Sequence, residues 1–262
     1  MQAGGFDIDI VVQGFPGKAV CHGGLGWSTI ALVRGAGRVA LVDVGAFNYR
    51  KLLLERLAAR GLTPADVTDV MLTHSHYDHS INWVMFPNAK IHIGADELAW
   101  AVKEPFGRTV VPELYVRELA ASPQLNRVHE GEHVLPGIVA HDAPGHTPGH
   151  LIFVAAGGDR DVIFTGDSAK NRAELLSRQA DSSYDMAVTT RTIDLIWDLW
   201  RKRPGNIVVP GHDMPMVLDR GQARYIEERQ AGITAWFGDQ LEETTLFEFK
   251  LADPPRLRAS AS

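Results

Sequence analysis

The residues Leu72–Ser80, with the sequence LTHSHYDHS, place His74, His76, Asp78 and His79 within six consecutive positions. The stretch VMLT just before His74 has the apolar character of a buried strand, and side chains two positions apart at a strand end project to the same side. His74 and His76 can therefore converge on one ion, while Asp78 and His79 turn toward a neighbouring position. Imidazole and carboxylate together suit zinc, iron or manganese, and a cluster this dense can hold parts of two metal sites.

Three later strand ends carry the same kinds of side chain. The stretch APGHTPGH places His146 in a Gly/Pro turn after a strand, TGDS places Asp167 after the apolar DVIF, and VPGHD places His212 after NIVV. Ends of neighbouring strands lie on one rim of a sheet, so these groups can meet although they are far apart in sequence. The sequence therefore predicts one metal centre assembled from several strand ends.

The remaining histidines and the cysteine have ordinary interpretations. Single histidines are more often hydrogen-bonded or exposed than metal-bound, and this is our expectation for the four isolated ones, His92, His129, His133 and His141. Cys21 is the only cysteine, so neither an intrachain disulfide nor a thiolate-rich zinc site is available. Any metal must be held by histidine and carboxylate, and Cys21, far from every motif, is interpreted as inert.

The composition is that of an ordinary globular protein. The 262 residues are 45% hydrophobic and 22% charged, which is enough to bury one sizeable core or two similar layers. The net charge of −6 provides no general attraction to nucleic acid or to an acidic membrane. The chain does not start with a basic segment followed by an apolar run, and it has no 18-residue apolar stretch. We therefore expect a cytoplasmic protein with no membrane and no nucleic-acid partner.

The apolar pattern changes repeatedly between strand and helix periods. In the first half, FDIDIVV, STIALVRG, RVALVDVG, TDVMLTH and AKIHIG are strand-like, whereas NYRKLLLERLAARG and ADELAWAVKE have helical spacing. In the second half, IVAHDAPGH, HLIFVAAG, DVIFTGD and NIVVPGH are strand-like, and AVTTRTIDLIWDLWRKRPG is a long amphipathic helix. A last helix over RGQARYIEERQAGITAWFG and a terminal strand over LFEFKL are also predicted. This order predicts an α+β protein, with two sheets packed face to face and helices outside, an αββα sandwich.

Two segments depart from this alternation within a predicted single domain over residues 1–262. Residues about 104–126 carry apolar and aromatic positions interrupted by prolines, which predicts a helical insertion. A covering helix is the simpler interpretation, and a lid or a dimerisation element is the alternative. Residues about 252–262 are polar and contain prolines, so we expect a mobile tail.

Five motifs taken together resemble those of the metallo-β-lactamase superfamily. THSHYDH, PGHTPGH, TGDS and VPGHD occur in this order, with LVDVG upstream, over about residues 40–213. Each motif is weak alone, but five in order are specific as a set. The resemblance implies the αββα fold and a hydrolase with two divalent metal ions, zinc being favoured and iron or manganese being the alternatives.

The resemblance also implies a role for each motif residue. Seven side chains are implied as ligands: His74, His76 and His146 for one metal, Asp78, His79 and His212 for the second, and Asp167 as the bridge. Asp43 in LVDVG resembles the strand-end aspartate that orients the ligand loop by hydrogen bonds, with a turn former ahead of Gly45 as the alternative. His150 is expected to be a structural hydrogen-bonding residue.

Such a site implies hydrolysis. Two divalent ions about 3.5–4 Å apart share a water, lower its pKa toward about 7 and present hydroxide to a carbonyl carbon. One ion can also polarise the carbonyl and stabilise the oxyanion. Asp78 or Asp167 would pass a proton to the leaving group, and no serine or cysteine nucleophile is needed.

Within the superfamily, the chain looks most like the acyl-homoserine-lactone lactonases, which implies a small lactone or related ester as substrate. A thioester, as in glyoxalase II, a β-lactam and a phosphodiester are the hydrolytic alternatives, and a mononuclear iron oxygenase is a further one. The lactonases commonly carry a tyrosine three residues after the bridging aspartate, whereas Lys170 stands there in this chain. Lys170 is predicted to assist the substrate carbonyl or bind a carboxylate, with solvent exposure as the alternative. Tyr184 is a second candidate for substrate contact.

Five apolar side chains near these motifs are candidates either for the substrate wall or for the core: Trp83, Met85, Phe86, Phe106 and Tyr115. A homodimer is a possible assembly.

Overall fold

The computed structural model describes residues 1–21 and 24–249. The chain divides into two compact units, Met1–Ile226 and Glu227–Ser262, and every predicted site residue belongs to the first. The expectation of one domain over residues 1–262 stays a prediction, and the mobile tail predicted for about 252–262 lies outside the described residues. Within the described chain, none of the helices combines the length and the apolar character needed to cross a membrane.

The first half of the chain forms a seven-stranded sheet in which the spatial order of the strands follows their chain order. Its strands are β1 (Gln2–Ala3), β2 (Phe6–Val12), β3 (Ile30–Gly35), β4 (Arg38–Val42), β5 (Asp69–Met71), β6 (Lys90–Gly94) and β7 (Leu125–Val128). Strands β1 to β4 pair antiparallel, and β4 to β7 pair parallel. Parallel neighbours need crossover connections, and these carry the four helices α1 (Arg50–Ala58), α2 (Tyr77–Ser80), α3 (Ala95–Ala101) and α4 (Glu113–Ala121).

The second half forms another seven-stranded sheet. Its strands are β8 (His133–Leu135), β9 (Ile138–Asp142), β10 (Leu151–Ala155), β11 (Val162–Gly166), β12 (Ile207–Pro210), β13 (Met216–Asp219) and β14 (Gln222–Tyr225). Strands β11 and β12 are parallel, and the other neighbours are antiparallel. The connection between β11 and β12 carries α5 (Arg172–Ser177) and α6 (Met186–Arg201). Short 3₁₀ turns lie at Phe47–Tyr49, Pro64–Asp66, Ile81–Met85 and Asp167–Ala169.

Side chains of alternating strand positions divide the core into three apolar layers. Phe6 and Ile8 of the first sheet pack against Phe153 and Phe164 of the second, which fills the space between the sheets. The opposite face of the first sheet packs against α1, α3 and α4, and the opposite face of the second sheet packs against α5 and α6. Each fully buried Leu, Ile or Phe contributes about 1.5–3 kcal/mol, so burial of both faces of both sheets favours this arrangement. The predicted αββα sandwich is confirmed.

The helix predicted over residues 220–238 is wrong. Strands β13 and β14 form a hairpin whose two turn residues, Arg220 and Gly221, both have positive φ (50° and 79°), as a type I′ turn requires. The helix prediction rested on the helix-favouring residues EERQ at 227–230. The pairing of β14 with β13, which buries Ala223, determines the structure instead. In the second unit, β15 (Gly232–Trp236) pairs antiparallel with β16 (Thr244–Glu248). The predicted terminal strand thus lies at residues 244–248, and residues 250 and 251 of LFEFKL are outside the described chain.

The segment at about 104–126 contains one helix, α4, with irregular chain on either side, and its last two residues belong to β7. Val116 and Leu119 of α4 are buried in the core layer of the first sheet, and its Leu114 is exposed. The helix therefore covers the sheet through one face, as the simpler of the two interpretations expected.

Candidate metal centre

Four of the predicted ligands come from the loop between β5 and α2 (His74 and His76) and from α2 itself (Asp78 and His79), and Asp43 holds this region in place. Asp43 follows β4 with φ of 54°, in the left-handed region, which aspartate tolerates better than most residues. Its carboxylate accepts hydrogen bonds from the backbone N–H of Thr73 (2.8 Å) and from the Thr73 hydroxyl (2.9 Å). It also accepts one from Nδ1 of His79 (2.8 Å), which leaves Nε2 of that ring facing the cluster. These are the orienting hydrogen bonds that the resemblance implies for Asp43.

The other three predicted ligands follow strands of the second sheet. Asp167 comes directly after β11, and His212 comes two residues after β12, so the two parallel strands bring both to the same edge. The backbone N–H of Gly211 donates to the carbonyl of Gly166 (2.9 Å). A Cβ at position 211 would lie 2.2 Å from Oδ1 of Asp167, so only glycine allows this approach. His146, in the loop after β9, completes the set.

The seven predicted ligands meet at one place. Their donor atoms form overlapping groups within 4.8 Å: His74, His76 and His146; Asp78, His79 and His212; and His74, His79 and Asp167. In the first group, Nε2 of His146 is 3.0 Å from Nδ1 of His76. In the second, Nε2 of His212 is 3.2 Å from Nε2 of His79 and 3.3 Å from Oδ2 of Asp78. Tetrahedral zinc with bonds of about 2.0–2.1 Å separates its ligand atoms by about 3.3 Å, so these spacings fit a metal site.

The two oxygens of Asp167 face different groups. Its Oδ2 lies 3.4 Å from Nε2 of His146, in the first group. Its Oδ1 lies 3.2 Å from Nε2 of His79 and 3.2 Å from Nε2 of His212, in the second group. This is the arrangement that a carboxylate bridging two ions requires.

The protonation states differ between the two groups. Burial lowers the pKa of His146 to about 3 and that of His76 to about 4, so both rings are neutral at physiological pH, as metal ligands must be. Burial also lowers the pKa of His79 and His212, but the nearby carboxylates, Asp167 first, more than offset it and raise both pKa values above the usual range. Without a cation, protons on the second group balance this negative charge.

His74 provides an independent test of whether the cluster suits a metal. The ring is fully buried, and its Nδ1 lies 3.1 Å from the Thr73 hydroxyl. Its Nε2 has no hydrogen-bond partner within residues 1–21 and 24–249. A buried nitrogen left without a partner costs about 1–3 kcal/mol, so the site is built for a ligand that this atom can bind. A divalent metal ion is such a ligand.

Three other histidines, His92, His141 and His150, have structural partners. Nε2 of His150 accepts a hydrogen bond from the backbone N–H of Asp167 (3.1 Å), and its Nδ1 lies 2.9 Å from the Ser168 hydroxyl, as expected for a structural residue. His92 is buried against Asp69 (2.9 Å), and His141 lies 2.9 Å from Glu130. Cys21 is exposed.

A cavity of about 670 Å³ lies next to the cluster. It is lined by residues 15–18, 24, 26, 170, 171, 173, 174, 177, 179–181 and 212. Lys170 and His212 belong to both the cavity wall and the surroundings of the cluster. The Lys170 ammonium lies 2.9 Å from Oε1 of Glu174 and donates to the carbonyl of Ser182 (2.9 Å), and its side chain is only 15% exposed. The solvent-exposed alternative for Lys170 is therefore wrong. Tyr184, by contrast, is 69% exposed.

The five apolar candidates for the substrate wall do not line this cavity in the described chain. Trp83 and Phe86 are buried in the core layer of the first sheet, and Met85 packs against it. Phe106 is 57% exposed, beneath the guanidinium of Arg117. Tyr115 makes an edge contact with Phe47 at 5.5 Å. The core alternative is correct for Trp83 and Phe86.

Two features of the site were missed from the sequence. Residues 15–18, 24 and 26 supply one cavity wall, and the length and Gly/Pro content of the sequence between β2 and β3 were a usable signal, because connections between antiparallel strands are usually short. Glu97 of α3 is fully buried against the ligand loops. Glu97 could not be recognised from the sequence as part of the site, because acidic residues are common in the first turn of any helix.

Comparisons with known proteins agree with the fold. A sequence model of the metallo-beta-lactamase superfamily matches residues 23–212. The human "Metallo-beta-lactamase domain-containing protein 1" is 32% identical over 197 residues, which cover 73% of this chain and 64%, just under two thirds, of that protein. An N-acyl homoserine lactonase of Bacillus thuringiensis is 26% identical over 157 residues, 59% of each chain. The structure of AidC, a dizinc quorum-quenching lactonase, superposes with a TM-score of 0.63 at 19% identity, covering 78% of this chain and 80% of that one, which indicates a shared fold.

Proposed function

This chain belongs to the metallo-β-lactamase superfamily, and we propose that it is a dinuclear metal-dependent hydrolase that opens lactones or related esters. The position of Asp167 supports the dinuclear centre most directly, because its two carboxylate oxygens face two separate groups of ligands. A single-metal site would need only one of these groups. The second group retains all three of its side chains, which favours hydrolysis over mononuclear oxygenase chemistry.

The proposed ligands follow from the atoms that converge. The first ion would be held by His74, His76 and His146 and the second by Asp78, His79 and His212, and Asp167 would join them. Zinc is the proposed metal, because imidazole and carboxylate ligands at these spacings suit it, and iron or manganese are alternatives that elemental analysis distinguishes. Ions bound here supply an activated water and polarise the substrate carbonyl.

The protein's own groups complete the proposed chemistry. Oδ2 of Asp78 lies at the more exposed side of the cluster, where it can hold a proton and return it to the leaving oxygen. Lys170 is the proposed electrostatic partner of the substrate, because Glu174 and the Ser182 carbonyl accept two of its three ammonium hydrogens, which fixes the ammonium group at the cavity wall with one hydrogen left for the substrate.

The lactone or ester class is proposed from two sources. Lactonases are among the relatives and among the structures with this fold, although each is a distant match. The cavity beside His212 is of a size that encloses a small organic ligand, and it combines apolar groups such as Phe15 and Ala180 with the charge of Lys170.

A hydrolysis screen tests the proposal. Protein loaded with zinc is assayed against lactones, esters, thioesters, β-lactams and phosphodiesters, with elemental analysis of the same samples. We expect two metal ions per chain and turnover of lactones or esters. His76→Ala is expected to abolish turnover without unfolding the chain. His141→Ala is the matched control, because it removes an imidazole that lies against Glu130 outside the cluster.

The alternatives give different results in the same screen. Turnover of thioesters, β-lactams or phosphodiesters alone would refute the proposed substrate class but not the proposed metal centre. Oxygen consumption with one bound iron would support the oxygenase instead. Full activity of His76→Ala, or an active protein free of transition metal, would refute the dinuclear site itself.

A further inference from the structure

A buried carboxylate connects the two loops that carry the first group of ligands. Glu97 lies in the first turn of α3 and is fully buried. Its Oε1 accepts hydrogen bonds from the backbone N–H of Ser75 (2.8 Å) and from the Ser75 hydroxyl (2.6 Å). Its Oε2 accepts one from the backbone N–H of Gly149 (3.2 Å). Ser75 stands between His74 and His76, and Gly149 follows His146 by three residues, so one side chain contacts both loops.

The backbone of the second loop is pressed directly against α3. A Cβ at position 149 would lie 1.9 Å from the backbone nitrogen of Glu97 and 2.5 Å from its Cα. A Cβ at position 94 would lie 2.6 Å from the carbonyl oxygen of Gly149. Both glycines therefore permit an approach that no other residue allows, and it brings the carboxylate within reach of the loop.

The two groups of ligands have different supports. The His79 ring, in the second group, is fixed by Asp43, which also holds Thr73. No hydrogen bond links Glu97 to Asp78, His79 or His212 in the described chain. The contacts of Glu97 lie on the side of the first group, with Ser75 and Gly149.

We propose that Glu97 is a positioning residue for the first metal ion, because its carboxylate fixes the loop of His74 and His76 relative to the loop of His146. This rests on the proposed function, since it assumes that these three histidines bind metal. The two loops come from different sheets, and their separation sets the distance between Nδ1 of His76 and Nε2 of His146. Small changes in such supporting contacts typically cost 10–100-fold in metal affinity.

Burial and hydrogen bonding indicate why a carboxylate stands at this position. Burial raises the pKa of Glu97, and the donors from Ser75 and Gly149 partly offset that effect. A carboxylate or carboxylic acid can accept from both loops at once. A glutamine has one acceptor oxygen, so its NH₂ group must face a donor N–H in one of the loops.

The test compares Glu97→Gln with Asp96→Asn. Both substitutions replace an acidic group by its amide in the first turn of α3, but Asp96 is exposed. Calorimetric zinc titration of the metal-free proteins, with elemental analysis, measures each binding step, and thermal unfolding of the metal-free forms checks folding. In Glu97→Gln we expect one binding step to weaken 10–100-fold and the other to stay within about twofold of wild type. Asp96→Asn should leave both steps unchanged.

Each other outcome overturns the inference or its premise. If wild type binds two ions and Glu97→Gln binds both with unchanged affinity, Glu97 does not position the first ion. If both steps weaken equally together with a lower melting temperature, its role is general stability. If Glu97→Gln fails to fold, Ser75→Ala, which removes only the hydroxyl bond, must weaken the same single step, and an unchanged titration refutes the inference. If wild type binds no metal, the proposed function itself fails.

Discussion

Replacing Asp43 by asparagine should move a proton on His79 and thereby weaken the second metal site. The carboxylate accepts three kinds of donor: the backbone N–H of Thr73, its hydroxyl, and Nδ1–H of His79. Asparagine suits the left-handed backbone of position 43 and has nearly the same shape, but it has a single acceptor oxygen. If that oxygen stays on Thr73, the NH₂ group faces Nδ1 of His79 at 2.8 Å. The ring must then accept at Nδ1 and carry its proton on Nε2, the atom that faces Asp167 and His212.

The magnitude follows from these contacts. One charge-assisted hydrogen bond is lost at a site that is 3% exposed, so we expect the free energy of unfolding to fall by about 1.5–3 kcal/mol. Because His79 would then carry its proton on the nitrogen that faces the metal site, the affinity for the second zinc ion should fall by about 10–100-fold. If the amide oxygen keeps the hydrogen bonds from Thr73, the loop of His74 stays in place, so the affinity of the first group should stay within about twofold. Calorimetric zinc titration and denaturant unfolding of the metal-free protein measure both quantities.

Asp69→Asn is the control for the loss of a buried carboxylate. Asp69 is also fully buried, and it pairs with Nε2 of His92 at 2.9 Å on the first sheet, with no predicted ligand among its partners. It should cost a similar amount of stability and leave both zinc steps unchanged. Wild-type zinc affinity in Asp43→Asn, or equal weakening in the two variants, would refute the tautomer argument.

Three further predictions follow from the site. In the metal-free protein, protonated His79 stabilises the fold fully below its ordinary pKa of 6.5, and this stabilisation is lost as the pH rises through the raised pKa. Zinc must displace that proton, so zinc affinity should fall as the pH is lowered from about 8 to about 6. Calorimetry in buffers of different ionisation enthalpy measures the protons exchanged when zinc binds. Gly211→Ala should lose the bridged metal pair, because its Cβ would lie 2.2 Å from Oδ1 of Asp167, and two bound zinc ions by elemental analysis would contradict this. Lys170→Met should lower kcat/KM by roughly 10- to 100-fold while zinc content stays at the wild-type value, and unchanged kinetics would exclude Lys170 from substrate binding.

The fold was predictable from the sequence where local pattern and global structure agree. The strand Leu151–Ala155 is a continuous apolar run and the helix Met186–Arg201 is amphipathic over its whole length, so the type of each element was identified correctly. The segment after Asp219 failed because EERQ favours a helix locally, whereas the two-residue turn at Arg220 and Gly221 pairs the chain with β13. The turn signal was present in DRGQ, but a helix-favouring run nearby obscured it.

The ligand cluster was predictable for a different reason. His74, Asp167 and His212 each lie within three residues of the end of an apolar strand, and this position at a sheet edge can be recognised without knowing the structure. Glu97 has no such mark, because its role depends on the approach of the Gly149 backbone, which is set by the packing of two sheets. The cavity wall at residues 15–18 is likewise formed by tertiary packing. Phe86, a candidate for the substrate wall from its sequence position, is buried in the core instead.

The division of the candidate ligands between the two sheets means that each group needs residues from both halves of the chain. The first group is complete once the polypeptide has emerged past His146, whereas the second waits for His212 and therefore for α6 to carry the chain back alongside β11. An ion bound in either group would therefore join side chains from both halves of the sandwich.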